Sequence, residues 1–156
     1  AEPVRRARLR DEVVDVRGLL GGDIELVPEL AEVRDAHAEH ARAAHIDLAR
    51  AAYALSLNDL ALAERELNLA KQQNADKGYW NLISGELAMK KDNPSGAVKL
   101  FSEASKSEST GARALWGLAR AFTLAGEDIE GAQFAIDATL AHTPTHAAAL
   151  IAKAQL

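Results

Sequence analysis

The sequence contains no cysteine, one methionine, four prolines and only 4% aromatic residues. Without cysteine there can be no disulfide, no thiol nucleophile and no cysteine-ligated zinc site, and the compartment is left open. No apolar run approaches the roughly 20 residues that a membrane-spanning helix needs, and no signal-peptide pattern is visible. A strong charge of one sign is also missing. The formal net charge is −5, spread over a mixed surface. That argues against nucleic acid, whose binding rests on Lys and Arg neutralising phosphates. The cluster Arg5, Arg6, Arg8 and Arg10 is followed at once by acidic residues and reads as a solvated helix face. Catalytic signatures are absent as well. There is no glycine-rich phosphate loop with Lys-Ser/Thr and no Gly-x-Ser-x-Gly elbow. The expectation is a chain that is not an enzyme and carries no cofactor. Because it opens on Ala1 and stops at Leu156 inside a helical pattern, it is expected to be a piece of something longer.

What the sequence does hold is alanine and leucine, within an apolar fraction of 48%. Both favour helix, and β-branched residues are sparse beyond the first fifty positions. With 156 residues, one domain with a real core is within reach. The fold class expected is all-α.

Helical spacing and its breaks divide the chain. Pro3 suits a helix start and Gly21-Gly22-Asp23 a stop. Pro28 fits the first turn of the next helix, and no Gly or Pro follows until after Ser56. That stretch reads either as one long helix or as two with a turn near His40 to Ala44; the turn is preferred because a repeat pattern requires it. Further helices are expected over 43–56, 59–73, 77–90, 95–107, 111–125, 128–141 and 145–156. Asn, Asp, Ser and Thr at the breaks can cap the next helix.

The segments repeat. Trp80, Ile83, Ser84 and Leu87 have counterparts Leu115, Leu118, Ala119 and Phe122 at +35, and Ile46, Ala49, Arg50 and Tyr53 at −34. Ala97-x3-Phe101 recurs as Ala132-x3-Ile136 and Ala63-x3-Leu67. Self-similarity at this period marks a helical repeat array. The large apolar residues Trp80, Phe101, Phe122, Tyr53 and Leu67 are expected in its core.

The pattern resembles the tetratricopeptide repeat (TPR) family, whose first helix carries W-x2-L-G-x2-Y and whose second carries A-x3-F with a later proline. Trp80-x2-Ile83-Ser84-x2-Leu87, Ala97-x3-Phe101, and Pro144 eight residues after Ile136 carry the resemblance. The two half-patterns stand one residue further apart than in the family consensus, so first-helix positions carry a one-residue ambiguity. The resemblance implies an α-solenoid of stacked antiparallel helix hairpins. It places three repeats over 43–144 (43–76, 77–111 and 112–144). Residues 1–42 would form an N-terminal helical hairpin, a degenerate repeat. Residues 145–156 would form a capping helix or open a further repeat.

For function the resemblance implies a non-enzymatic interaction module that binds a peptide or helix of another protein in a concave groove and assembles a complex. In the phase set by Trp80, the groove positions are Asp47, Ala51 and Leu55, then Asn81, Gly85, Ala88 and Met89, then Arg113, Trp116, Arg120, Thr123 and Leu124. Asn81, Met89, Arg113, Trp116, Arg120 and Leu124 are the candidate partner-binding residues. Arg113, Trp116 and Arg120 share a helix face, and Trp and Arg often dominate interfaces. A one-residue shift would instead put Trp116 in the family's own tryptophan place, in the core. The Lys, Asn and Arg set that holds acidic chaperone tails is matched only by Arg113, so that ligand is not expected. Self-association through Ala148, Leu150 and Ile151 is the alternative reading, giving a homo-oligomer; a regulatory or recruitment domain of a larger protein is a third. His37, His40 and His45 follow no metal-binding motif, and no metal, nucleic acid or membrane insertion is expected.

Overall fold

The computed structural model describes residues 28–126 and 128–155, with side chains from residue 32 onward. Every element among the described residues is helical: α1 Pro28–Ser56, α2 Leu60–Gln72, α3 Lys77–Lys90, α4 Pro94–Ala104, α5 Gly111–Ala125, α6 Ile129–His142 and α7 Ala147–Gln155. The chain divides into two units, Ala1–Ala38 and Glu39–Leu156. In the first, the described residues are all helix, and the side chains from Glu32 to Ala38 are exposed. The expected N-terminal hairpin rests on residues 1–27, which lie outside the described ones.

In the second unit, successive helices pack on one another from α2 through α7, and α3 also touches α5. Helix α1 joins this series through a shared cluster of Leu48, Ala51 and Leu55 with Ala63, Leu67 and Ala70 of α2. No helix among the described residues is long and apolar enough to cross a membrane.

Local chemistry sets the helix ends. Asp59, Asp76, Asn93 and Asp128 each accept a hydrogen bond from the backbone N–H three residues on, at 2.7–3.0 Å. Each such cap is worth about 1 kcal/mol. The stops are equally specific. Asn58, Asn74 and Asp92 take positive φ of 60°, 55° and 54°, and Gly126 takes 68°. After the first three, the next residue's N–H reaches back five residues: Asp59 to Ala54, Ala75 to Ala70 and Asn93 to Ala88, at 2.9–3.0 Å. This is the glycine-style helix stop carried by Asn and Asp, which tolerate the left-handed region. Asn58, Asp92 and Gly126 close α1, α3 and α5 at intervals of 34 residues.

The turn preferred near His40 to Ala44 does not form: α1 runs unbroken from Pro28 to Ser56. The stretch contains no residue that stops a helix, and a repeat pattern supplies no breaker of its own.

The buried stripe agrees with the expected one only in part: Ser84 and Leu87 in α3 and Leu118 and Ala119 in α5 are buried. In α3 the buried residues are Gly78, Leu82, Ser84, Gly85 and Leu87, while Trp80 and Ile83 are half-buried at the edge. Thirty-four residues back the same face of α1, Ala44, Leu48 and Ala51, is buried, whereas α5 buries Ala114, Gly117, Leu118, Ala119 and Ala121 and so keeps Leu118 and Ala119 of the expected stripe. Ile46, Ala49, Arg50 and Tyr53 are exposed, Tyr53 by 65%, so Tyr53 is not core. Phe101 and Leu67 are buried as expected, and Phe122 packs against the core half-buried.

The reason is Phe101. Its ring is fully buried, and a Cβ added at Gly85 would lie 2.7 Å from its Cε1; one added at Gly117 would lie 2.6 Å away. The ring therefore fills a hole made by glycines on two different helices. The face that carries the glycines must point inward, whatever the size of the residues beside it. Trp80 is held at the margin: its indole N–H donates to the Leu67 carbonyl at 2.9 Å, and Lys71 lies over its ring.

Candidate functional site

The ends and faces just described leave an open pocket of about 570 Å³ along the odd-numbered helices. Helix α1 contributes Ala52, Leu55 and Ser56 from its last turns, and α3 contributes Leu82, Ile83, Glu86 and Lys90. The start of α5 adds Ala112, Arg113 and Trp116, and the α6–α7 turn adds Thr143 and His146. A second pocket of about 160 Å³ lies between α5, α6 and α7, lined by Trp116, Ala119, Arg120, Thr123, Leu124, Ile136 and Ala152. Trp116 belongs to both and forms the wall between them.

Trp116 is half-buried and held from one side by His146, whose ring centroid is 4.8 Å from its own at an interplanar angle of 47°. His146 is fixed in turn, because its Nδ1 accepts the Ala149 N–H at 3.2 Å at the start of α7. The Trp116 face thus has a packed support behind it, which limits the rotamer freedom a partner would have to freeze.

The charges are uneven. Arg120 donates to both oxygens of Glu86 at 3.2 and 3.4 Å, across α5 and α3. Both are a little over one-third exposed, which keeps the pair's worth to a few tenths of a kcal/mol, up to about 1. Lys90 donates only to the neutral amide oxygen of Asn58, at 3.2 Å. Arg113 is exposed and has no ion-pair partner among the described residues. The larger pocket therefore carries one carboxylate, already met by Arg120, and two further cations.

Of the residues expected in a groove, Arg113 and Trp116 meet at the larger pocket, and Trp116, Arg120 and Leu124 meet at the smaller one. Leu55 also lines the larger pocket and Thr123 the smaller. Asn81 and Met89 line neither: Asn81 is half-buried and Met89 packs against the central core. Ala51 and Gly85 are core. Asp47 is buried beside α2, where Gln73 donates to it at 3.0 Å and Arg50 lies 3.6 Å away. The burial of Ala51 and Gly85 follows from the inward face of α1 and α3 described above.

Glu86, Lys90, Thr143 and His146 were not foreseen as pocket residues. For Glu86 and Arg120 a signal existed, since opposite charges one repeat apart can pair across neighbouring hairpins. His146 caps α7 locally, but its stacking on Trp116 is long-range and leaves no pattern in the sequence. The α1 histidines are occupied locally, His37 with the Val33 carbonyl and His45 with that of Ala41. No family model, curated protein or solved structure matches the chain.

Proposed function

We propose that the chain is a non-enzymatic protein-interaction module. In this reading it is an α-solenoid of stacked antiparallel hairpins of the TPR type, and its groove holds a peptide or helix of another protein to assemble a complex. The observation that carries the reading is the pocket of about 570 Å³ with Trp116 braced at its wall. Concave sites with an apolar floor and a few polar groups are where ligands settle, and a fixed tryptophan is a common energetic anchor. Support for the repeat architecture comes from the 34-residue recurrence of the helix stops at Asn58, Asp92 and Gly126.

The test is selection of a displayed peptide library on the whole chain, followed by affinity measurement for Trp116→Ala and Arg120→Ala. Binding lost in these variants with little change in melting temperature supports the groove. Selection of no peptide, or of peptides indifferent to both substitutions, removes it. A second reading, self-association at the C-terminal edge, is favoured by Leu150 and Ile151, exposed by 48% and 59%. A strict monomer by light scattering across concentrations removes that one.

A further inference from the structure

We infer that the occupant of this groove is a segment of another protein with one large apolar anchor residue and a carboxylate on each side of it; this rests on the reading of the groove as a docking site. The lining residues trace a slanting path. It starts at the C-terminal ends of α1 and α3, at Leu55 and Lys90, and finishes at the starts of α5 and α7, at Arg113 and His146. Leu55, Ile83 and Trp116 supply an apolar floor. A cation stands towards either end, Lys90 at one and Arg113 at the other, and neither faces a carboxylate partner among the described residues.

Three kinds of segment can be compared on this path. A wholly apolar one would cover Arg113 and Lys90 while giving them nothing in exchange for water, which is unfavourable. A basic one would meet like charge at both ends. A segment with an acidic residue before and after its anchor answers both cations and leaves the floor to the anchor. The local surplus of positive charge stands out in a chain whose net charge is −5.

A second copy of the chain offers a partial match. Phe134 on α6 is 71% exposed, with Glu130 one turn before it and Asp137 one turn after. But Asp137 already accepts a hydrogen bond from Lys153 at 2.7 Å, so that surface has one free carboxylate where the groove presents two cations. The charge pattern therefore favours a different protein.

The test uses three labelled twelve-residue peptides with a central Phe, flanked on both sides by Glu, Gln or Lys, titrated with the whole chain by fluorescence anisotropy. The Glu peptide is expected to bind about three- to tenfold more tightly than the Gln peptide, the yield of two exposed ion pairs, with the Lys peptide weakest. The order should compress in high salt and reverse towards Lys in the Lys90→Glu/Arg113→Glu double variant. Both positions are exposed, so the melting temperature of that variant should hold. Equal binding of the Gln or Lys peptide to the unaltered chain overturns the acidic-segment assignment and leaves the docking reading standing. No binding of any peptide removes both. Concentration-dependent association of the chain alone, abolished by Phe134→Ser and by Arg113→Glu, gives the groove to a second copy and overturns the assignment to another protein.

Discussion

Substituting alanine for Gly85 or Gly117 should destabilise the chain, although alanine is the better helix former. In an exposed helix interior, Gly→Ala gains about 1 kcal/mol. Here the added methyl would sit 2.7 Å (Gly85) or 2.6 Å (Gly117) from Phe101 Cε1, where ordinary contact needs at least 3.4 Å. The ring is fully buried and the same atoms, Cδ1, Cε1 and Cζ, lie nearest to both glycines, so it has little free space to move into. Overpacking a tight core site costs about 1–3 kcal/mol, so the net loss should be up to about 2 kcal/mol for each single variant. For a chain of this size, each kcal/mol moves the midpoint by roughly 2–4 °C. Thermal and urea melts followed by circular dichroism would measure it. The decisive arm is a double-mutant cycle with Phe101→Leu. Shortening the ring costs stability alone but opens room for the methyl, so Gly85→Ala should become neutral or stabilising in that background. The coupling should exceed about 0.5 kcal/mol, the level at which independent sites add. If Gly85→Ala raises the midpoint in the unaltered chain, or if the cycle is additive, the ring is not pinned between the two helices.

Other substitutions probe separate claims. Trp80→Phe removes the indole N–H that donates to the Leu67 carbonyl and should cost about 1 kcal/mol; an unchanged urea midpoint would deny that bond a role. Glu66 is buried with its Oε2 unbonded, and its ion-pair partners Arg50 and Arg65 are mostly exposed. Glu66→Met leaves both arginines solvated and should therefore be close to neutral; a clear loss in denaturant melts would show the carboxylate to be needed. Gly126 holds φ 68°, so Gly126→Ala should cost about 1–2 kcal/mol and Gly126→Asn less; equal midpoints for both would contradict the left-handed stop.

The helix inventory was largely legible because its signals are local. Asn58, Asn74, Asp92, Gly126 and the caps Asp59, Asp76, Asn93 and Asp128 act within five residues of themselves, and sequence order is enough to read them. Which face of each helix points inward was harder. In α3, Trp80 with Ile83 and Leu82 with Gly85 both make apolar stripes at helical spacing. Choosing between them requires knowing that Phe101 needs the space of a glycine, a fact about two other elements. The pocket residues Arg113 and Trp116 were legible from their shared face on α5. Lys90 and His146 were not, since each reaches the pocket through the way helix ends converge.

The position of Phe101 also bears on how the chain would yield to force. Its ring lies against Gly85 of α3 and Gly117 of α5, so one side chain of α4 ties together the helix before it and the helix after it. Pulled from its ends, the segment from α3 to α5 should give way in one rupture rather than helix by helix, and Phe101→Ala should split that rupture into smaller steps in an optical trap. Helices that share one buried ring should yield to load together over its span, with their stiffness set by that single joint.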